Sequence, residues 1–213
     1  MKLPLVDLVK RQWKLYHLAE PEFAFLYDAP PDNEWVTLDC ETTGLNVNKD
    51  QIISVGAVRI VGNRLLTSER LELLIRPESK ISVDAVKVHH LRERDVAEGL
   101  EPEEAMRQLL RFIGSRPLVG YYLEFDVAML NKEIFPLLGV KLPQPTIEVS
   151  GMYYDYKNRN LPPPDRGGQQ IDLRFSTMMN DLKLPLREAH DAINDAVMAG
   201  MAFVKLRRLL EED

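Results

Sequence analysis

Apolar residues recur two apart in the first half of the chain and three or four apart further on, so strands come first and helices follow. Trp35 to Cys40 is an apolar run, Ile52 to Ile60 is rich in β-branched residues, and Leu71, Leu73 and Ile75 alternate with polar neighbours. Gly62-Asn63 supplies a turn, and three neighbouring antiparallel strands are the expected result. After Pro77 the period changes. Pro102, with Glu103 and Glu104 in the first turn, opens a helix whose Met106, Leu109, Leu110 and Ile113 share one face. Pro117 to Gly120 reads as a short strand. A helix from about Glu124 presents Val127, Leu130 and Ile134 until Pro136 stops it, and Pro145 to Val149 reads as a fifth strand.

Lys157 to Gln170 contains Pro162 to Pro164 and Gly167-Gly168 and is expected as a loop. Helices over about 171–182 and 191–210 close the chain, the last apolar on most sides as suits burial against a sheet. At the other end Leu5, Leu8, Val9 and Trp13 make an apolar stripe on a short helix, and residues 21–34, with Pro21, Pro30, Pro31 and Asn33, read as a connector. The expected organisation is a helical appendage and connector over 1–32, then one α/β domain over 33–213 built on a mixed sheet covered by helices.

Net charge of −6 argues against a broad basic surface for holding nucleic acid, although bound metal can supply positive charge locally. The single cysteine, Cys40, has no internal disulfide partner, which fits a reducing cytoplasm. Lys2, Asp7, Lys10, Arg11, Lys14 and Glu20 interrupt the first twenty residues, so neither a membrane span nor a leader is expected there. The leading helix either packs on the domain or docks a protein partner; no residue supports the second reading.

The apolar run ends in Asp39-Cys40-Glu41-Thr42-Thr43-Gly44-Leu45. Alternate residues of a strand share a face, so Asp39 and Glu41 point the same way with Cβ atoms roughly 7 Å apart. Two like charges so close need a cation, and hard oxygen ligands select Mg²⁺ or Mn²⁺. Among 33 acidic residues an Asp-x-Glu pair alone reads as solvated surface, and Asp126, at the start of a helix, reads alone as a cap. His190 and Asp195 lie five apart, about 140° around a continuous helix. If Asp191 is the N-cap, Asp195 instead faces the sheet from the first turn while His190 lies outside the helix. Thr42 and Thr43 either satisfy the turn or meet a terminal nucleotide. Tyr121 and Tyr122 read first as core, with base stacking the alternative. Lys157, Arg159 and Arg166 offer either phosphate-steering or solubilising charge, and the Lys205, Arg207, Arg208 cluster reads as the solvated end of a helix.

Taken together these segments resemble the three motifs of the DnaQ-like, or DEDD, 3′-to-5′ exonuclease superfamily, in the branch with histidine in the third motif. The match runs through Asp39-x-Glu41-Thr42-Thr43-Gly44-Leu45, Phe125-Asp126 and His190-x-x-x-x-Asp195, with Val88-His89-His90-Leu91 similar to the family's Ile-His-Gly-Ile segment. The resemblance implies a ribonuclease H-like fold with a five-stranded mixed sheet. It implies that Asp39, Glu41, Asp126 and Asp195 hold two divalent cations, with His190 as general base. Thr42, Thr43, Leu45, His89 and Phe125 are the implied substrate contacts. The implied reaction is removal of nucleoside 5′-monophosphates from a single-stranded 3′ end, with DNA preferred. RNA 3′-end trimming and a non-catalytic docking module are the alternatives. Tyr121-Tyr122-Leu123 replaces the family's His-Asn-Ala, His90 replaces its glycine, and Glu148-Val149 stands where Asp-Thr is usual. Because the chain ends at Asp213, a free-standing enzyme is expected rather than a tethered one.

Overall fold

The computed structural model describes residues 5–162, 166–167, 170–187 and 190–211. Strands β1 (Glu34–Thr42), β2 (Ile52–Val61), β3 (Arg64–Leu74), β4 (Leu118–Gly120) and β5 (Thr146–Glu148) form one sheet in the order β3-β2-β1-β4-β5. The first three pair antiparallel, as expected, and β4 and β5 add in parallel. Helices α1 (Leu5–Tyr16), α2 (Val83–His89), α3 (Glu93–Val96), α4 (Pro102–Ile113), α5 (Leu123–Leu138), α6 (Val149–Arg159), α7 (Phe175–Asp181) and α8 (Ala192–Glu211) flank it. Among the described residues no helix is long and apolar enough to cross a membrane.

Alternation along β1 divides the work of the sheet's two faces. Val36, Leu38 and Cys40 are buried in one core with Met106, Leu109 and Leu110 of α4 and Leu123, Met129 and Leu130 of α5. Thr37, Asp39 and Glu41 take the opposite face, which α8 covers; the Thr37 hydroxyl donates to the Ala196 carbonyl across that contact (2.8 Å). Close approach of α8 depends on Gly56 in β2, which stands opposite Asp39. A Cβ on Gly56 would collide with the backbone of Ala192 and Ile193 at the start of α8. Backbone cannot yield as a side-chain tip can. Gly56→Ala is therefore expected to cost about 3 kcal/mol of stability, measured by urea unfolding; a midpoint equal to wild type would contradict this packing.

Several segments differ from the pattern-based expectation, each for a visible reason. β1 extends to Thr42, so both acids sit on the strand itself. Residues 21–34 are more than a connector: a 3₁₀ helix, Pro21–Tyr27, buries Phe23 and Leu26 in the α4/α5 core. Trp13 is exposed, its ring set against His17 instead of the domain (centroids 4.2 Å). Pro136 does not stop α5, because it falls in the last turn, where one backbone bond is missing and Gly139 in the left-handed region ends the helix three residues later.

Helix α6 escaped the periodicity because Gly151 and five polar or charged positions (Ser150, Asp155, Lys157, Asn158 and Arg159) dilute its stripe; burial of Val149 and Tyr153 against α8 carries it. Lys157 and Arg159 thus belong to this helix and not to a loop. Lys157 pairs with Asp181 (3.0 Å), Arg159 donates to the Leu210 carbonyl (3.4 Å), and Arg166 to the carbonyls of Leu161 and Arg159. Helix α7 starts only at Phe175, since Asp172 accepts from the Arg174 N–H (3.0 Å) and organises a turn ahead of it. Arg207 is not a solvated end: its guanidinium lies over the Trp35 ring (4.3 Å) and donates to the Gly62 carbonyl (2.9 Å). The side chains of Leu5, Leu8 and Val9, and residues Pro163, Pro164 and Gly168 of the Pro/Gly stretch, lie outside the described residues.

Candidate active site

Asp39 and Glu41 leave β1 on the α8 face. From the other side α8 starts with Asp191 as its N-cap, whose Oδ1 accepts the Asn194 N–H (3.0 Å). This cap sets the first turn so that Asp195 meets the strand: carboxylate oxygens of Asp39, Glu41 and Asp195 all lie within 4.8 Å of one another. Asp126, in the first turn of α5, is buried beside them, with its Oδ1 accepting the Cys40 N–H (3.0 Å). It lines the same cleft but stands outside that tight group of three. Cys40 itself is buried on the opposite face, where it is a small apolar filler.

Crowded carboxylates out of water resist ionisation. Burial, then the facing Asp126 and Asp195 carboxylates, pushes Asp39 well above the ordinary carboxylate range. Burial, then Asp195 and Asp126, pushes Glu41 up to about 8. Burial also raises Asp195 and Asp126, the latter against the opposing effect of the Cys40 N–H. One oxygen of Asp195, Oδ2, accepts the His190 N–H (2.9 Å), whereas the buried Oδ1 has no partner among the described residues. A buried carboxylate oxygen with no hydrogen-bond partner inside a cluster of acids is suited to ligate a cation, and the hard oxygen donor set fits a divalent ion.

The acids open into a 540 Å³ cleft also lined by Thr42, Leu45, Tyr121, Tyr122, Phe125, Arg174, Phe175 and His190. His190 precedes α8 at φ 64°, a left-handed turn that leaves its side chain exposed at the cleft wall, outside the helix as the N-cap reading required. Leu45 is 86% exposed at the rim. Thr42 is buried and its hydroxyl donates to the Gly44 carbonyl (2.7 Å). Thr43 does not line the cleft: its buried hydroxyl donates to Asp50 (3.0 Å) and accepts the Gln51 N–H (3.0 Å), closing the loop after β1.

His89 also lies off the cleft, in an adjoining 290 Å³ pocket bordered by Glu41 and His190. Its Nδ1 accepts the Leu91 N–H (3.1 Å), which leaves Nε2–H to donate to the Thr42 carbonyl (3.2 Å); burial lowers its pKa and favours this neutral form. His90 makes the turn in place of glycine by adopting φ 61° as the C-cap of α2. Arg174 and Phe175 carried no sequence signal: Arg174 stands in the irregular turn ahead of α7, and Phe175 is the first residue of that helix. Of the two tyrosines, Tyr121 packs against Phe175 (4.5 Å between centroids), but Tyr122 is 74% exposed and is no core residue.

A sequence profile of the exonuclease family, RNase T type, matches residues 36–203. The chain is 28% identical over 189 residues to the PolC-type DNA polymerase III of Caldanaerobacter subterraneus, a match covering 87% of this chain and 12% of the polymerase. It is 31% identical over 140 residues to the DNA polymerase III epsilon subunit of Haemophilus influenzae, covering 61% of this chain and 54% of the subunit. The chain therefore spans about half or less of the length of these curated relatives. Among solved structures, a zinc-bound complex of E. coli exonuclease I with single-stranded DNA has a TM-score of 0.68 at 17% identity, covering 85% of this chain and 43% of that one. Exonuclease X in complex with 5′-overhanging duplex DNA has a TM-score of 0.61 at 19% identity, with 82% and 91% covered. At such identities the likeness is one of fold, whereas the profile takes in β1, α5 and α8, the three elements that carry the acids, and on that ground the chain belongs to the RNase T-type exonuclease family.

Proposed function

We propose that the chain is a cytoplasmic, metal-dependent 3′-to-5′ exonuclease that removes nucleoside 5′-monophosphates from a single-stranded 3′ end, with DNA preferred over RNA. The observation that carries this reading is the convergence of Asp39, Glu41 and Asp195 around the unpaired Asp195 Oδ1 in an open cleft. Exonuclease I and exonuclease X, in the structures above, both hold DNA, which supports the choice of polymer.

Asp39, Glu41, Asp126 and Asp195 would hold two divalent cations, Mg²⁺ or Mn²⁺, which when bound supply Lewis-acid polarisation and charge neutralisation at the scissile phosphate. The side chain of His190, beside Asp195, takes the proton of the attacking water as the water oxygen bonds to phosphorus. The P–O3′ bond breaks, and the 3′-oxygen leaves on the shortened strand and is protonated from solvent. Thr42, Leu45 and Phe125 receive the terminal nucleotide, the exposed Leu45 side chain against the base and Phe125 against sugar or base. Thr43 and His89 act one layer back. The first closes the loop that presents Leu45, and the second fixes the Thr42 carbonyl. His190→Ala is expected to lower turnover by about 10²–10⁴-fold, read as initial rates on single-stranded DNA.

Strand polarity is tested with single-stranded DNA and matching RNA labelled at either end, with Mg²⁺, with Mn²⁺ and with chelator. The expected outcome is labelled mononucleotide at the first turnover from the 3′ label, a descending ladder from the 5′ label, and no product with chelator. Mononucleotide released first from the 5′ label, or turnover that survives chelation, would overturn the reading.

A further inference from the structure

Tyr121, Tyr122 and Arg174 line two cavities at once. One side of this ridge borders the acidic cleft, and the other borders a 650 Å³ groove that includes Ser150 and Asp172. Tyr122 holds a solvent-exposed ring on a left-handed backbone (φ 59°, ψ 28°), a region that Cβ sterics disfavour for a bulky residue. Its surroundings enforce that conformation. The Glu148 carboxylate accepts both the Tyr122 N–H (3.1 Å) and the Leu123 N–H (2.9 Å), and is itself held by the Ser150 hydroxyl (2.8 Å). A large ring kept in water on a strained and braced backbone contributes little to packing and is suited to meet a ligand. Below it, Tyr121 is fixed by its stack on Phe175 and by donation from its hydroxyl to the Leu173 carbonyl (3.1 Å).

Arg174 adds charge of the right sign. Among the described residues it is the one lysine or arginine lining either cavity, in a cleft whose carboxylates repel phosphate. Its side chain is 80% exposed; Nε and Nη2 rest on Asp172, and Nη1 has no hydrogen bond among the described residues. We propose that the ridge is a second nucleotide subsite. Tyr122 stacks on the base, and Arg174 pairs with the phosphate, of the nucleotide next to the terminal one, whose strand continues into the 650 Å³ groove. Unpaired base and phosphodiester are common to deoxyribose and ribose strands. This subsite rests on the nuclease reading above.

The test compares a thymidine 5′-(p-nitrophenyl) phosphate ester, whose leaving group stands in place of the next nucleotide but carries no second base or phosphate, with single-stranded pentamers of DNA and of RNA. Tyr122→Ala is expected to raise KM for the pentamer about tenfold more than KM for the ester, and Tyr122→Phe to restore the wild-type ratio. Arg174→Gln is expected to reduce the slope of log KM for the pentamer against log salt by about 0.7, the loss of one phosphate contact on a single strand. A Tyr122→Ala effect confined to one polymer assigns the subsite to that polymer. If wild type hydrolyses the ester and pentamers but neither the KM ratio nor the salt slope moves, the subsite is wrong and the nuclease reading stands. If wild type hydrolyses neither ester nor pentamer, the nuclease reading fails and the subsite with it.

Discussion

Asp39→Asn and Glu41→Gln are each expected to lower the proposed metal-dependent release of mononucleotides by about 10³-fold or more while leaving the fold intact. Both substitutions keep the shape of the side chain and remove only its charge. The two positions share the α8 face of β1, and each has an oxygen within 4.8 Å of Asp195. Losing one anion from so tight a group leaves too little charge to bind cations against water, and the backbone that carries the remaining acids is held in place: β2 pairs with β1 along Asp39 to Glu41, the Cys40 N–H is bonded to Asp126, and α8 is capped by Asp191. Initial rates with saturating substrate and a Mg²⁺ series separate lost cation binding from lost turnover. Near wild-type rates in either variant, with circular dichroism unchanged, would place the chemistry elsewhere.

The metal-free protein is expected to lose stability as pH rises from about 5 to about 8, and Glu41→Gln to remove part of that decline. Glu41 in the folded chain is pushed from 4.5 up to about 8, so between those values the folded state binds a proton that the unfolded state has lost. Stability falls with pH wherever the folded state holds more protons. Asp39 and Asp195 shift in the same direction and add to the slope. Glu41 borders an open cleft, and solvent screening trims its share. At pH 8 without metal, the glutamine variant is expected to melt about 5 °C above wild type. Added Mg²⁺ raises wild type and has a smaller effect on the variant. Differential scanning calorimetry across pH 5 to 8 checks both; a wild-type midpoint that is flat in pH, or that rises, contradicts the electrostatics of the cluster.

What the sequence disclosed was what period and spacing encode. Alternation in β1 put Asp39 and Glu41 on one face, and Asp191 as an N-cap turned Asp195 toward them while leaving His190 outside the helix. Both inferences follow from local backbone geometry. Features that depend on distant partners were hidden. The collision that keeps Gly56 a glycine comes from the α8 backbone, more than a hundred residues away. Helix α6 has little amphipathic pattern of its own and is held by α8. Thr43 looked as eligible as Thr42 for the cleft until the loop folded back and Asp50 and Gln51 took its hydroxyl. Arg174, and the exposure that decides between the two readings of Tyr122, were illegible because an Asx turn and a carboxylate fork, neither periodic, place them.

The most direct measurement is Mn²⁺ binding followed by loss of the free-ion electron paramagnetic resonance signal, with wild type and Asp195→Asn compared at pH 8. Saturable uptake by wild type and at least about tenfold weaker uptake by the variant is the expected result. Equal uptake by the two proteins, or none by wild type, would contradict a cation site formed by Asp39, Glu41 and Asp195.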